Sequence, residues 1–211
     1  MDEVYMASSD PKHAWVYRFL ARVANTLPAG LVAACTQPLG PVVLARTLPY
    51  LRTARIVELS EAMPPDFIAD ISIAMDPSLY PRVVPALPFQ TVLETARPLI
   101  AKEAYQTTAE FASLLPRPHL KQLVIQLNDL TGVAHISGHL DPTKSAEVLS
   151  AFSLKLGAEV IEEVLRQGYR QRVAETGPLL SEQRLSGLRE YLSEDAWQTL
   201  NEQVKPSSTS H

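Results

Sequence analysis

Two histidines, His135 and His139, stand four residues apart in a stretch where Leu130, Val133, Ile136 and Leu140 recur at helical spacing. Imidazoles at i and i+4 project from one face of a helix, so the pair could chelate a transition metal or a haem iron. The apolar residues claim the opposite face, which leaves both rings open to a ligand. Two imidazoles make an incomplete coordination set, and His119, just after Pro118 at a predicted helix start, is the candidate third ligand from a neighbouring helix. The same positions also read as polar residues on a solvated surface beside Gly132 and Gly138. The metal candidates are therefore His135, His139 and His119, while nothing in the sequence requires a cofactor.

Catalytic patterns are missing. The chain has no G-x-S-x-G elbow, no P-loop, no H-E-x-x-H and no glycine-rich dinucleotide fingerprint. Its one cysteine, Cys35, falls on a repeat core position and reads as a buried small apolar residue without a base beside it. No reaction is named by any constellation, so an enzyme of unrecognised class is the last of three functional readings.

The elements that would carry these residues repeat. Leu27, Leu39, Leu51, Met63, Met75, Leu87 and Leu99 recur every twelve positions, with Val23, Cys35, Thr47, Leu59, Ile71, Val83 and Thr95 four residues before them and Leu20, Val32, Leu44, Ile56, Ile68, Tyr80 and Val92 seven before. Offsets of three and four share a helical face, and twelve residues are about one short helix plus a break. The register slips by sixteen to Leu115, resumes at Leu127 and drifts by one residue to Leu140 before Phe152, with Ile71 and Leu123 as expected buried markers.

Most of the 17 prolines fall at the joints. Pro28, Pro64, Pro88 and Pro116 follow a marker directly, where a first helical position would forfeit no hydrogen bond. Asp76-Pro77, Asp141-Pro142 and Asn128-Asp129 add side-chain caps. Pro81, Pro85 and Pro98 fall within a unit and predict a kink or partial 3₁₀ structure there.

The expected fold is all-α, a right-handed superhelix of short antiparallel helices of about 12 residues. A single domain would span 11–204, with repeats over about 16–152 and a helical cap over 143–204. Residues 1–10 and 205–211 read as disordered ends, and Asp10-Pro11 as the start of a first helix carrying Trp15, Phe19, Leu20 and Val23. Between Thr143 and Thr176 no proline intervenes, and Leu149, Phe152, Leu156, Val160, Val164 and Val173 form a seam consistent with one long helix. Ser181 and Ser193 look like the N-caps of two closing helices.

The run Met63-Pro64-Pro65-Asp66-Phe67-Ile68-Ala69-Asp70-Ile71 up to Met75-Asp76-Pro77 resembles the short helical repeats in the amino-terminal cytoplasmic domain of MgtE-type magnesium transporters. There a Leu-Pro-Pro step, a short acidic helix and a Leu-Asp-Pro step recur; the superhelical repeats of the flagellar rotor protein FliG are similar in kind. By pattern the likeness extends over 40–152. It implies a superhelical repeat, and its motifs encode helix boundaries rather than a magnesium site.

With 19 basic and 23 acidic residues, and neither sign gathered into a long run, the composition argues against a nucleic-acid surface. No apolar stretch is long enough to cross a membrane and no secretory leader pattern appears, which makes the cytoplasm the expected location. At 211 residues the chain can bury a core without staples. Stacked repeats present a continuous surface, so the leading expectation is a non-catalytic scaffold or regulatory module. It would bind a protein partner through exposed residues of 64–140, or itself, as a homodimer through the 143–176 helix. The alternative is a small-ligand protein holding an apolar molecule within the stack or a metal or haem at His135/His139.

Overall fold

A computed structural model describes residues 14–202, and the expectations for 1–10, for the Asp10-Pro11 helix start and for 205–211 lie outside the described residues. The fold is all-α: among the described residues there are fourteen α-helices and no strand. Two compact units divide the chain at Thr107/Thr108, where the sequence suggested one domain over 11–204.

The first unit holds α1 (Ala14–Thr26), α2 (Ala29–Thr36), α3 (Pro41–Thr47), α4 (Thr53–Ala62), α5 (Pro65–Ile73) and α6 (Phe89–Ala101). α1 packs on α3, α2 on α4 and α3 on α5, so these helices rest on the next but one and build two columns, while α6 closes the unit by packing on its chain neighbour α5. This is what a twelve-residue period dictates, because one short helix cannot bury its apolar stripe without a neighbour on each side. Leu44, Leu51, Ile56, Leu59, Met63, Ile71, Tyr80, Val83 and Leu99 are all buried at the expected phase. Burial pushes the Tyr80 phenol well above its ordinary range, with the Asp76 carboxylate adding to the effect. The prolines of 77–86 shape two 3₁₀ turns, Pro77–Leu79 and Val84–Ala86, and Pro98 stands inside α6.

The joints follow the sequence with one shift. Pro28, Pro64, Pro88 and Pro116 stand at N-cap positions, one residue ahead of the expected N1, with φ between −55° and −62° and ψ between 138° and 147°. The pyrrolidine ring presets this extended entry and has no N–H to lose. Side-chain caps close other starts: Asp76 accepts from Ser78 N at 2.9 Å, Asp129 from Gly132 N at 2.9 Å and Asp141 from Thr143 N at 2.8 Å. Those bonds favour the ionised Asp141 carboxylate and hold its pKa below the usual value.

α7 (Tyr105–Leu114) carries the chain across the division. The second unit holds α8 (Arg117–Leu127), α9 (Leu130–His139), α10 (Pro142–Ala151), α11 (Leu154–Arg166), α12 (Arg170–Thr176), α13 (Glu182–Arg189) and α14 (Glu194–Leu200). α8, α10, α12 and α14 form one column, each packed on the last, and α9, α11 and α13 the other. Ser181 and Ser193 are the N-caps of α13 and α14, accepting from Arg184 N and Ala196 N at 3.3 Å each.

The long helix over 143–176 is not formed; three helices replace it. Phe152 adopts an extended conformation and is buried, and Ser153 restarts the chain by accepting from Leu156 N at 3.2 Å. At the second break Gly168 takes φ +87°, donating from its N–H to the Leu165 carbonyl at 2.9 Å, while Tyr169 N donates to Val164 at 3.1 Å. That pair of bonds is a Schellman motif, which glycine's freedom at positive φ permits. The seam itself is real: Leu149, Phe152, Val160, Val164 and Val173 are buried within the second unit, so it offers no face to a second copy. Glu163, expected on the solvated side, is buried too, receiving Thr131 Oγ1 at 3.3 Å, Gln167 Nε2 at 2.7 Å and the Arg166 guanidinium.

A cation reaches back to the end of the helix three earlier in four places. Arg55 on α4 donates to Ala24 at 2.8 Å and to Leu27 behind α1; Lys144 on α10 to Leu115 at 3.2 Å behind α7; Arg172 on α12 to Gly138 at 3.3 Å in α9. Arg184 on α13 donates to Leu149 in α10 and to Ser153 at 3.3 Å.

Truncating Ile71 or Leu123 to alanine should cost about 2–5 kcal/mol by urea denaturation, whereas Cys35→Ala, at an exposed position, should cost less than about 0.5 kcal/mol. Arg55→Ala should cost about 1–3 kcal/mol through its carbonyl bonds. Lys155→Ala, which removes only an exposed pair 3.9 Å from Glu159, should cost no more than about 0.5 kcal/mol.

Candidate functional site

Asn128, in the left-handed region at φ 50°, ends α8, and the Asp129 cap starts α9 two residues later. Val133, Ala134 and Ile136 bury one side of α9, which turns His135 half out of the core and leaves His139 exposed. Their rings meet a residue that the sequence reading did not single out. The Tyr169 hydroxyl lies 3.1 Å from His135 Nδ1 and 3.4 Å from His139 Nε2. Its ring meets both imidazoles edge-on, with centroids 5.8 and 5.6 Å away and interplanar angles of 88° and 67°.

Two glycines make this possible. Gly168 closes the Schellman motif that turns Tyr169 back toward α9, and Gly138 lies beneath the phenol ring, where a Cβ would overlap the ring carbons. Arg172, one turn further along α12, ties the two helices by its bond to the Gly138 carbonyl and is itself held by Glu175 at 3.1 Å. His119 sits half-buried in the first turn of α8. Among the described residues no three of His, Cys, Asp and Glu gather as a metal set, so His119 does not complete the pair. The missed signal was local: a glycine followed by an aromatic residue, inside a run read as continuous helix.

Beside the cluster, a core cavity of about 30 Å³ is lined by Ser137, Ser145, Phe152, Val160, Arg172 and Leu200 among others. Ser145 is buried there and its hydroxyl has no hydrogen-bond partner among the described residues. That volume suits about one water molecule.

The first unit presents a different kind of site. Val23, Leu27, Cys35 and Leu39 occupy repeat core positions, yet all four are exposed, which corrects the buried reading of Cys35. The repeat pattern continues onto a face that no described element covers. Trp15 (68% exposed), Phe19 (59%) and Val23 run along the outer side of α1, with Leu31, Leu39, Val42 and Tyr50 exposed on the segments that follow. Charge is segregated here although neither sign forms a long run: residues 14–57 contain five arginines and no acidic residue. Arg46 bonds the Tyr17 hydroxyl at 3.3 Å and Arg55 caps α1, but Arg18, Arg22 and Arg52 are exposed, Arg18 with its guanidinium 5.7 Å over the Tyr50 ring. No helix among the described residues is long and apolar enough to cross a membrane.

Gly138→Ala should destabilise the protein by about 1–3 kcal/mol, because the added methyl meets the Tyr169 ring. In a Tyr169→Ala background the same change should become stabilising by up to about 1 kcal/mol, the ordinary helical preference for alanine. A denaturant double-mutant cycle reads that reversal of sign.

Compared with known proteins, the chain matches no protein-family model, no curated protein and no solved structure.

Proposed function

We propose that this protein is a non-catalytic interaction module whose α1–α3 face docks an acidic amphipathic segment of a protein partner. The observation that carries the reading is the exposure of repeat core positions Val23, Leu27, Cys35 and Leu39 within a stretch bearing arginines alone. An apolar row flanked by cations is complementary to a helix with an apolar stripe and carboxylates beside it. On α1, Arg18 and Arg22 lie along one border of the Trp15–Phe19–Val23 row, at offsets that put them on the same outward side. Trp and Arg are the side chains most often found where binding energy concentrates.

The occupant is a partner rather than a second copy. A two-fold contact through this face would set Arg18, Arg22 and Arg52 of one molecule against their own images, and like charges brought together oppose association. This reading moves the contact surface from 64–140, where the sequence placed it, to α1–α3 in the earlier part of the first unit. The likeness of 63–77 to MgtE-type cytoplasmic repeats supports a repeat module without bringing magnesium chemistry with it, and the proposed location is the cytoplasm.

Fluorescence anisotropy with two 18-residue helical peptides tests the proposal; both carry one Leu stripe, and their polar faces are all Glu or all Lys. The Glu peptide should bind, and the Lys peptide should not. Trp15→Ala should weaken binding by about 1–2 kcal/mol or more, and Arg18→Glu with Arg22→Glu should abolish it at low salt. Equal binding of both peptides, or Glu-peptide binding unchanged by these variants, would overturn it. A concentration-dependent dimer lost in Trp15→Ala would give the face to a second copy instead.

A further inference from the structure

We propose that His135, His139 and Tyr169 form a transition-metal site with two imidazole nitrogens and one phenolate oxygen as protein ligands. It lies in the second unit and is independent of the docking face. Ligand atoms about 2.0–2.1 Å from one tetrahedral ion stand about 3.3–3.4 Å apart. Tyr169 Oη is 3.1 Å from His135 Nδ1 and 3.4 Å from His139 Nε2, so the oxygen already stands from each nitrogen at about the spacing that an ion would impose.

The Tyr169 hydroxyl can donate to one ring nitrogen and accept from the other, so hydrogen bonds gather the three donors and an ion would take the place of the hydroxyl proton between them. Imidazole nitrogen with a phenolate suits a borderline divalent ion such as Zn²⁺ or Cu²⁺.

The donors are also held in place before any ion arrives. His135 and His139 share the rigid α9; Tyr169 is fixed by the Schellman turn at Gly168, by its ring seated over Gly138, and by the Arg172 tie between α12 and α9. Exposure of His139 leaves an approach from solvent, and water can take the fourth position. Binding forms two metal–nitrogen bonds and one metal–oxygen bond and breaks the Tyr169 O–H bond, so one proton leaves to the buffer for each ion taken up.

Titration calorimetry with Zn²⁺ at pH 7.5, repeated in two buffers of different ionisation enthalpy, measures affinity and proton release together. Cu²⁺ absorption reports a phenolate-to-metal charge-transfer band. The wild type should bind one ion with release of about one proton. His139→Ala should weaken binding more than about tenfold, the scale already reached by losing an outer partner of a ligand. Tyr169→Phe keeps the ring over Gly138 and so tests the oxygen alone: affinity should fall by about tenfold, with the proton release and the band both gone. The proposal is overturned if the wild type binds no tighter than His135→Ala/His139→Ala, or if Tyr169→Phe keeps the same affinity, proton release and spectrum.

Discussion

Each α-helix leaves its last four carbonyls without partners inside the helix, and in helices of 7 to 13 residues that is a large share of the backbone. Stacking such helices in columns brings many ends to the edge of the core, where an unmatched carbonyl is costly. Cations from three helices ahead meet this demand in both units, with Arg55, Lys144, Arg172 and Arg184 lying 28 to 35 residues beyond the carbonyls they reach. The spacing follows from the architecture. Where helix n packs on n+2, as α1 on α3, α9 on α11 and α10 on α12, the chain then returns over the end of n with helix n+3. Withdrawal of the Arg184 guanidinium from water lowers its pKa, a cost offset by its bonds to Leu149 and Ser153.

Much of the architecture was legible in the sequence because it rests on short-range rules. The buried phase of Leu44, Ile56, Leu59, Ile71 and Leu123, the Asp and Ser caps, and the 3₁₀ turns around Pro77 and Pro85 all follow from period and local chemistry. Errors arose where periodicity was asked to decide what tertiary contacts decide. The apolar seam over 149–173 is compatible by period with a straight helix and with a broken one, and the extended Phe152 with its Ser153 restart and Gly168 in the left-handed region separate them. Cys35 and Leu39 kept the repeat phase while losing the neighbour that would cover them.

The same local turn explains why two of the three donors of the metal candidate site were readable. An i, i+4 histidine pair announces itself on any helix, whereas the third donor arrives from 30 residues away and only because one helix stops. Had α11 run through residue 168, residue 169 would have stayed on α11, and nothing would fill the space over Gly138. A break that looks like an imperfection in a repeat therefore sets the position of a side chain to within a hydrogen-bond length. Glu163 shows the reverse case: an i, i+4 charge pattern placed it at the surface, yet Thr131 on α9 and Gln167 beside it satisfy the carboxylate in the core.

Terminal units of repeat proteins usually present a polar outer face, because nothing stacks on them. The first unit has an apolar face instead, with Trp15, Phe19, Leu31 and Leu39 exposed. Apolar exposure alone would invite indiscriminate stacking, with a second copy of the same face as the most abundant partner. Arginines without any acidic residue between 14 and 57 work against that outcome, since they repel their own image while attracting carboxylates. In the proposed docking, selectivity would come from what the charge excludes as much as from what the apolar row attracts.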